Sequence, residues 1–317
     1  MEVTLKAYAK INLFLDVTGR REDGYHLITG VMQAVSLCDR VTVAVEEPTG
    51  KHLCSLGARP GMAESIALTC SNPNLPTDGR NLAWRAAEAF FSTTGRGCRR
   101  LTVHIDKHIP AAAGLAGGST DAAAVLVALN QLFGYPLTKT ALCEVGLKLG
   151  ADVPFCIMGG TQKTEGVGEV LTPLAPLPDC AILVACAGEG VSTPAAYRAL
   201  DELYGHFAPG AYGPRTMELD AQIRALAASD PDGVCAHAYN IFESVILPNH
   251  PTATHIKQVM QESGAALSIM SGSGPSVFGL FRRGSEERLA CAAEALRAEG
   301  IPVWMCEPVP VPVQVQK

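Results

Sequence analysis

The chain has 317 residues, 48% of them hydrophobic and 18% charged, which is enough for two domains with sizeable cores. Its formal net charge of −6 argues against bulk nucleic-acid binding, which wants a basic face, and leaves room for one small anionic ligand. The 11 cysteines are odd in number and contain no Cys-x-x-Cys, so they form neither a disulfide framework nor a zinc pattern. Free thiols in a reducing, cytoplasmic compartment are expected. The opening MEVTLKAYAKINLFL lacks a basic start followed by an apolar run and a cleavage site, so no signal peptide is expected. No apolar run approaches the ~18–20 residues of a membrane span. With aromatics at only 6%, Ala, Val and Leu must fill most of the core.

Val3 to Val17, VTLKAYAKINLFLDV, alternates and is rich in Val, Ile, Leu and Phe, which predicts a strand with a break near Lys10. Asp23-Gly24 marks a turn. RVTVAVEE and SIALTCS predict two more strands, and Glu47 to Glu64 between them a loop or hairpin. RNLAWRAAEAFFSTTG has helical spacing and stops at Gly95. RRLTVHIDKHIP predicts a strand that ends before Pro110. TDAAAVLVALNQLFG is apolar nearly all round, the pattern of a buried helix. A further helix is expected from about Thr138 to Leu149, then a tight loop at GADVPF, then a hairpin over GGTQKTEGVGEVLTPL. PLPDCAILVACAGEGVSTP carries one strand and a loop. Helices are expected over Pro194–Tyr204 and Thr216–Ser229. The end reads strand (AALSIM), loop (SGSGP), strand (SVFGLF), helix (Ser285 to Glu299) and strand (PVWMC), with the tail EPVPVPVQVQK expected to fray. There is no internal repeat. The weakest join lies around Gly159 to Leu177, which divides the chain into residues 1–165 and 166–317. The order of elements is α+β and not an alternating Rossmann pattern.

Four stretches could carry chemistry. PAAAGLAGGSTDAAA, Pro110 to Ala124, sets Gly114, Gly117 and Gly118 ahead of the buried helix. Orphan N–H groups and the macrodipole make a helix start an anion site, and glycines let the chain approach phosphate oxygens. Ser119 and Thr120 add hydroxyls for phosphate or magnesium. A plain turn with a Ser/Thr cap explains the same residues. The lysine of the common P-loop is absent. AKIN places Lys10 among apolar neighbours, either as a snorkelling surface residue or as the missing cation. LGADVPF offers Asp152, either a turn aspartate or a carboxylate that orients an attacking hydroxyl or takes its proton. SGSGPSVFGLF is either a hairpin turn or a loop packed beside a ligand or another glycine loop.

AKINLFLDVTGRREDGYH, IPAAAGLAGGSTDAAA, LGADVPF and SGSGPSVF occur in this order. Together they resemble the GHMP small-molecule kinase superfamily, named for galactokinase and the homoserine, mevalonate and phosphomevalonate kinases. The resemblance runs from about Ala7 to Phe281, and SNPNLPTDGRNLA, TEGVGEVLTPL and GVSTPAAY add to it. DGYH and GADVPF narrow it to the branch acting on a cytidine diphosphate-linked polyol. The implied fold is two-domain α+β, with a glycine-rich phosphate loop in the N-terminal domain, a ferredoxin-like C-terminal α/β sandwich and the active site in the cleft between them. The implied activity uses ATP, as Mg-ATP, to phosphorylate the 2-hydroxyl of a diphosphocytidyl methylerythritol. The products are the 2-phosphate and ADP, on the non-mevalonate route to isoprenoid precursors. The alternatives are another superfamily kinase of the homoserine or mevalonate class, or a non-catalytic nucleotide- or RNA-binding module. The partner expected is a small molecule, with no nucleic acid and no membrane, and the protein a monomer or homodimer.

The resemblance implies catalytic roles for Lys10 and Asp152. It implies substrate binding by Asn12, which lies on the same side of the strand as Lys10, and by Tyr25, His26 and Thr193 in a cytosine pocket. ATP binding falls on Asn81, Leu82 and Lys107, and on the loop Pro110, Ala111, Ala112, Ala113, Gly114, Leu115, Ala116, Gly117, Gly118, Ser119 and Thr120. The chain departs from the superfamily at Ala116, where another glycine is frequent, at Thr120, where a second serine is, and at Cys156, where a second aromatic is common. The metal ligand is unassigned, with Ser119 and Thr120 as candidates, while Asp121 reads as a first-turn carboxylate. His104 and His108 lie on a strand and form no helical metal pair. Trp84 and Trp304 read as core, RREDG as a solvated turn, and Tyr239, Asn240 and Phe242 as core in a helix-like run. The segment 56–62 has no assigned role.

Overall fold

The computed structural model describes residues 1–46, 63–188, 190–208, 212–310 and 313–315. The loop or hairpin expected after Glu46 and the segment 56–62 therefore lie outside the described residues. The elements are β1 (Glu2–Arg20), β2 (His26–Glu46), β3 (Ala63–Cys70), α1 (Leu82–Thr94), β4 (Cys98–Asp106), α2 (Gly117–Leu132), α3 (Lys139–Leu147), α4 (Asp152–Met158), β5 (Thr161–Glu165) and β6 (Val170–Pro173). They continue with β7 (Cys180–Ala185), α5 (Thr193–Leu203), α6 (Thr216–Ala227), α7 (Pro231–Ala236), β8 (Tyr239–Asn240) and α8 (Glu243–Ile246). The last are α9 (Pro251–Glu262), β9 (Leu267–Met270), β10 (Val277–Arg282), α10 (Glu286–Ala298), β11 (Val303–Cys306) and β12 (Gln314–Val315).

β1 and β2 form a long antiparallel hairpin at the centre of the first sheet, whose order is β12-β1-β2-β4-β3. The β5–β6 hairpin joins through β2, and β8 runs parallel to β1. The second sheet is antiparallel throughout, with order β11-β7-β10-β9. Strands β7, β9, β10 and β11, with α10 between the last two, make the split βαβ pattern of a ferredoxin-like layer.

Local chemistry accounts for several boundaries. Asn81 caps α1 by accepting from the Ala83 N–H at 2.9 Å, and Gly95 ends it in the left-handed region at φ 66°. α2 is buried on nearly every side, between the first sheet, α1 and α4. Its alanines permit the close approach that larger residues would block.

Four expectations are corrected. The break near Lys10 is not a break: β1 runs through it, with register shifts at Tyr8/Ala9 and Asn12/Phe14 that bend the strand while the ladder continues. GADVPF is not a loop but the start of α4, because Pro154 falls in the first turn, where the N–H has no intrahelical partner to lose. The tail does not fray throughout. Val309 is buried, its N–H donates to Ala34 O at 2.8 Å, and β12 pairs with β1. Tyr239 and Asn240 form β8 and not a helical run, because their backbone pairs with Phe14 and Leu15.

Candidate active site

β1, the loop before α2, the start of α4 and the N-terminal end of α5 converge on one cleft of about 980 Å³. Lys10 sits at its floor, 4% exposed. The Lys10 ammonium donates to Asn12 Oδ1 at 2.7 Å and to the carbonyl of Gly114 at 2.9 Å. Asp152 Oδ2 lies 4.0 Å from the same nitrogen. Two of the three ammonium donors are thus committed, which holds the charge in place beside the carboxylate. The spacing of two on a strand puts Lys10 and Asn12 on one side, as expected. Asp152 heads α4 with its side chain a third exposed, so it reaches the cleft.

The glycine loop is held from behind. Ser271 Oγ donates to Gly114 O at 3.0 Å, and a Cβ on Gly114 would lie 2.1 Å from Ser271 O. With φ at 77°, Gly114 is glycine because another loop packs on it, not because phosphate needs the room. The supporting loop between β9 and β10 is itself fixed. Asn240 Nδ2 donates to the carbonyls of Met270 and Gly272 at 2.7 and 2.9 Å. Asn240 is therefore a buried brace, a role that its burial among apolar neighbours does not announce in sequence. Ser273 Oγ lies 2.9 Å from Thr193 Oγ1, which ties the same loop to α5 at the cleft wall.

α2 starts at Gly117 without a side-chain cap, and the preceding Ala116 is held at φ 60°. The Thr120 N–H donates to Ala116 O at 2.9 Å, so the earlier amides of the turn are the open donors. Gly117, Gly118 and Ser119 line the cleft there. A Cβ on Gly118 would meet only Leu82 at 3.6 Å, so this edge has space in front of it. An uncapped start of a 16-residue helix facing a cleft fits a phosphate chain. Thr120 is fully buried and does not line the cleft, which leaves Ser119 as the accessible hydroxyl. Among the described residues no group of three His, Cys, Asp or Glu side chains comes together as a metal site.

The other expected ATP residues divide. Leu82, Ala112, Ala113, Gly114 and Ala116 line the cleft, whereas Asn81 faces its own helix as a cap. Leu115 is buried, and its carbonyl accepts from the Lys10 N–H at 3.2 Å; Pro110 and Ala111 do not line the cleft. The Lys107 ammonium is not brought to the cleft. It is buried under α2 between Asp39, in close contact, and Asp121 Oδ2 at 2.8 Å. Asp39 also accepts the backbone N–H groups of His108 and Ile109 at 2.6 and 2.8 Å. Burial pushes the Asp121 carboxyl above the usual carboxylate range, the Lys107 charge pulls it down, and the Asp39 charge adds to the rise. One ammonium balances only one of the two carboxylates. Asp121 is thus a buried partner of Lys107 and not an exposed first-turn carboxylate.

At the far wall, Tyr25 is 65% exposed and lines the cleft. The His26 ring stacks on Tyr197 at 4.5 Å and 19°, and its Nε2 lies 2.7 Å from Asp201 Oδ1. Arg20 Nη1 approaches the other Asp201 oxygen at 3.3 Å, so RREDG is not wholly solvated. Burial, then the Asp152 charge, raises the Tyr197 phenol above its ordinary range. Tyr197 and Asp201 went unassigned in the sequence, whereas the SGSGP loop takes the second of its two expected forms and packs beside the glycine loop at Gly114. For α5 the signal was there: Tyr197 and Asp201 are one helical turn apart on the segment GVSTPAAY begins.

A family model described as GHMP kinases N terminal domain matches residues 81–160, and one described as GHMP kinases C terminal matches residues 222–299. A 4-diphosphocytidyl-2-C-methyl-D-erythritol kinase from Synechococcus sp. (strain JA-2-3B'a(2-13)) is 41% identical over 99% of this chain and 96% of that protein. The protein of the same name from Clostridium botulinum (strain Eklund 17B / Type B) is 42% identical over 88% of this chain and 91% of that protein. A crystal structure of a 4-(cytidine 5'-diphospho)-2C-methyl-D-erythritol kinase superposes with a TM-score of 0.72 at 34% identity, covering 97% of this chain and 99% of that one. A homoserine kinase from Cytophaga hutchinsonii superposes at 0.73 with 18% identity over 99% and 97% of the two chains, a likeness of fold alone.

Proposed function

The chain belongs to the GHMP kinases and, within them, to the 4-diphosphocytidyl-2-C-methyl-D-erythritol kinases, and from that premise we propose that it transfers the γ-phosphoryl of ATP to the 2-hydroxyl of 4-diphosphocytidyl-2-C-methyl-D-erythritol. One observation carries the assignment of residues: the Lys10 ammonium is bonded to the glycine loop at Gly114 O and stands 4.0 Å from Asp152 in a cleft that also exposes Tyr25.

Phosphoryl transfer has a loose transition state, so positioning and charge stabilisation carry most of the rate. The amides of Gly117, Gly118 and Ser119 hold the phosphate chain at the start of α2. Lys10 faces the charge that develops on the transferring group. Asp152 aligns the 2-hydroxyl and receives its proton as the new P–O bond forms and the bond to the departing ADP oxygen breaks. Asn12 fixes Lys10 and is within reach of the same substrate. Ser119, the hydroxyl of the loop that lines the cleft, would help hold a magnesium ion, which would offset phosphate charge when bound with the nucleotide. Tyr25 and His26 take the cytosine, with Thr193 at the same wall. Leu82 flanks the nucleotide side. In this reading residues 1–165 supply the ATP cradle and the Tyr25–His26 part of the far wall, and residues 166–317 add the α5 part of that wall and the loop that braces the cradle. The free cysteines among the described residues support a reducing, cytoplasmic setting, and no described helix is long and apolar enough to cross a membrane.

The test is ADP release from Mg-ATP with the cytidyl substrate beside homoserine and mevalonate. Turnover with the cytidyl substrate alone is expected. Turnover with another alcohol would keep Lys10 and Asp152 and remove the cytosine assignment. A folded, ATP-binding protein that turns over none of the three would remove the kinase reading.

A further inference from the structure

His26 presents an arrangement that the phosphoryl chemistry does not explain. Its side chain is only 8% exposed, yet it lines the cleft wall next to the exposed Tyr25. Two residues one turn apart on α5 grip it: Tyr197 stacks on the ring face and Asp201 meets Nε2 at 2.7 Å. Phe207 closes the edge, its centroid 5.7 Å away at 82°. Asp201 is itself 5% exposed and is shared with Arg20 at 3.3 Å, with His206 Nδ1 at 3.9 Å. Among the described residues Nδ1 of His26 has no partner, and it is not one of the buried atoms left unpaired.

A carboxylate only accepts, so Nε2 must carry the proton that fills this contact. In the neutral ring the other nitrogen is then an acceptor, and its orientation is fixed by the same bond. An acceptor suits cytosine, whose exocyclic amine donates. It opposes uracil, which presents a carbonyl at that position. We propose that Asp201 is the positioning residue that sets the His26 tautomer and thereby selects a cytosine over a uracil base in the substrate. The inference rests on the cytidyl reading of the Tyr25–His26 wall. A purely structural Asp201, serving only to pair with Arg20, would move stability but not base preference.

The experiment titrates CDP and UDP against the full chain and against Asp201→Ala, Asp201→Asn and Asp201→Glu, with ATP affinity as the control and ¹⁵N NMR of His26 reading the tautomer. The expected wild-type ring carries its proton on Nε2, and CDP binds more tightly than UDP. Because Asn keeps an oxygen that can accept from Nε2, the deciding variant is Asp201→Ala, which removes the acceptor. Asp201→Ala should erase about tenfold of that preference, the scale of one hydrogen bond, with ATP affinity unchanged, while Asp201→Asn and Asp201→Glu should each retain part of it. A folded Asp201→Ala protein that keeps the full CDP preference would overturn the proposal, and so would a wild-type ring protonated on Nδ1. If the Ala variant does not fold, the wild-type tautomer and a CDP-specific shift of the Nδ1 resonance decide. Turnover of the cytidyl polyol with an unchanged base preference in the variant removes Asp201 alone. The expected tautomer and CDP preference without any turnover remove the kinase reading and leave Asp201 in place.

Discussion

The Lys10 ammonium and the Gly114 carbonyl meet at 2.9 Å across 104 positions of sequence. The cation absent from the glycine loop is thus supplied by β1 and bonded to the loop itself. Because Asn12 Oδ1 accepts a second hydrogen bond from it at 2.7 Å, the ammonium cannot swing away without losing two hydrogen bonds. Substituting Lys10→Met should lower kcat by about 10²–10³-fold, the size of one preorganised electrostatic donor.

Asp152 belongs to α4 and not to the glycine loop whose amides hold the phosphates, so its loss should separate chemistry from nucleotide binding. Asp152→Asn keeps the shape and start of α4 but gives up the proton acceptor. Turnover should fall by about 10²-fold or more, with ATP affinity within a few-fold of wild type. Single-turnover kinetics and equilibrium ATP binding would read the two effects. A variant with normal turnover would remove Asp152 from the mechanism.

Gly114, packed against the Ser271 loop, and Gly118, open to the cleft, should behave oppositely. A Cβ on Gly114 would lie 2.1 Å from Ser271 O at a φ of 77°, so Gly114→Ala should destabilise by about 3 kcal/mol or more. At Gly118 the added carbon meets only Leu82 at 3.6 Å, so Gly118→Ala should leave thermal stability nearly unchanged and raise KM for ATP. Thermal unfolding and nucleotide kinetics on the pair check both halves.

Local patterns made much of this legible. The caps Asn81 and Gly95 bound α1, the apolar run after the glycines is α2, and the two-residue spacing puts Lys10 beside Asn12. What escaped was set by partners far along the chain. Lys107 is placed with the nucleotide by the resemblance until Asp39, 68 residues away, is found against it. Asp201 and His26 are 175 residues apart, and Asn240 shows its bracing role only once Met270 and Gly272 are beside it. Such pairs carry no periodicity. GADVPF failed for a different reason: a Val-Pro pair that reads as a turn is equally at home in the first turn of α4.

Ala116 occupies a left-handed conformation at φ 60° just before α2, where the superfamily often has glycine. An L-residue there carries about 1–2 kcal/mol of strain, and glycine would add about 0.4–1 kcal/mol of unfolded-state entropy. Ala116→Gly should therefore stabilise by about 0.5–1 kcal/mol, measured by urea unfolding. A destabilised variant would mean that the alanine methyl packs more usefully than the strain suggests.

The Lys107 cluster gives stability a pH signature. Asp121 is raised in the folded protein, by burial first, and the ordinary carboxylate value near ~4 applies when unfolded. A raised folded value means that the folded state binds the proton more tightly. The contribution is complete below about pH 4 and is lost as pH rises toward and through the folded value. Asp121→Asn removes that titration while keeping an acceptor for Lys107. Its stability relative to wild type should improve from pH 5 to pH 8, as read from urea midpoints at the two values. Lys107→Met should show the reverse chemistry, with both Asp39 and Asp121 buried without their cation. A loss of about 3–5 kcal/mol is expected, larger at pH 8 than at pH 5. A pH-independent difference between wild type and Asp121→Asn would show that Lys107 fully balances the second carboxylate.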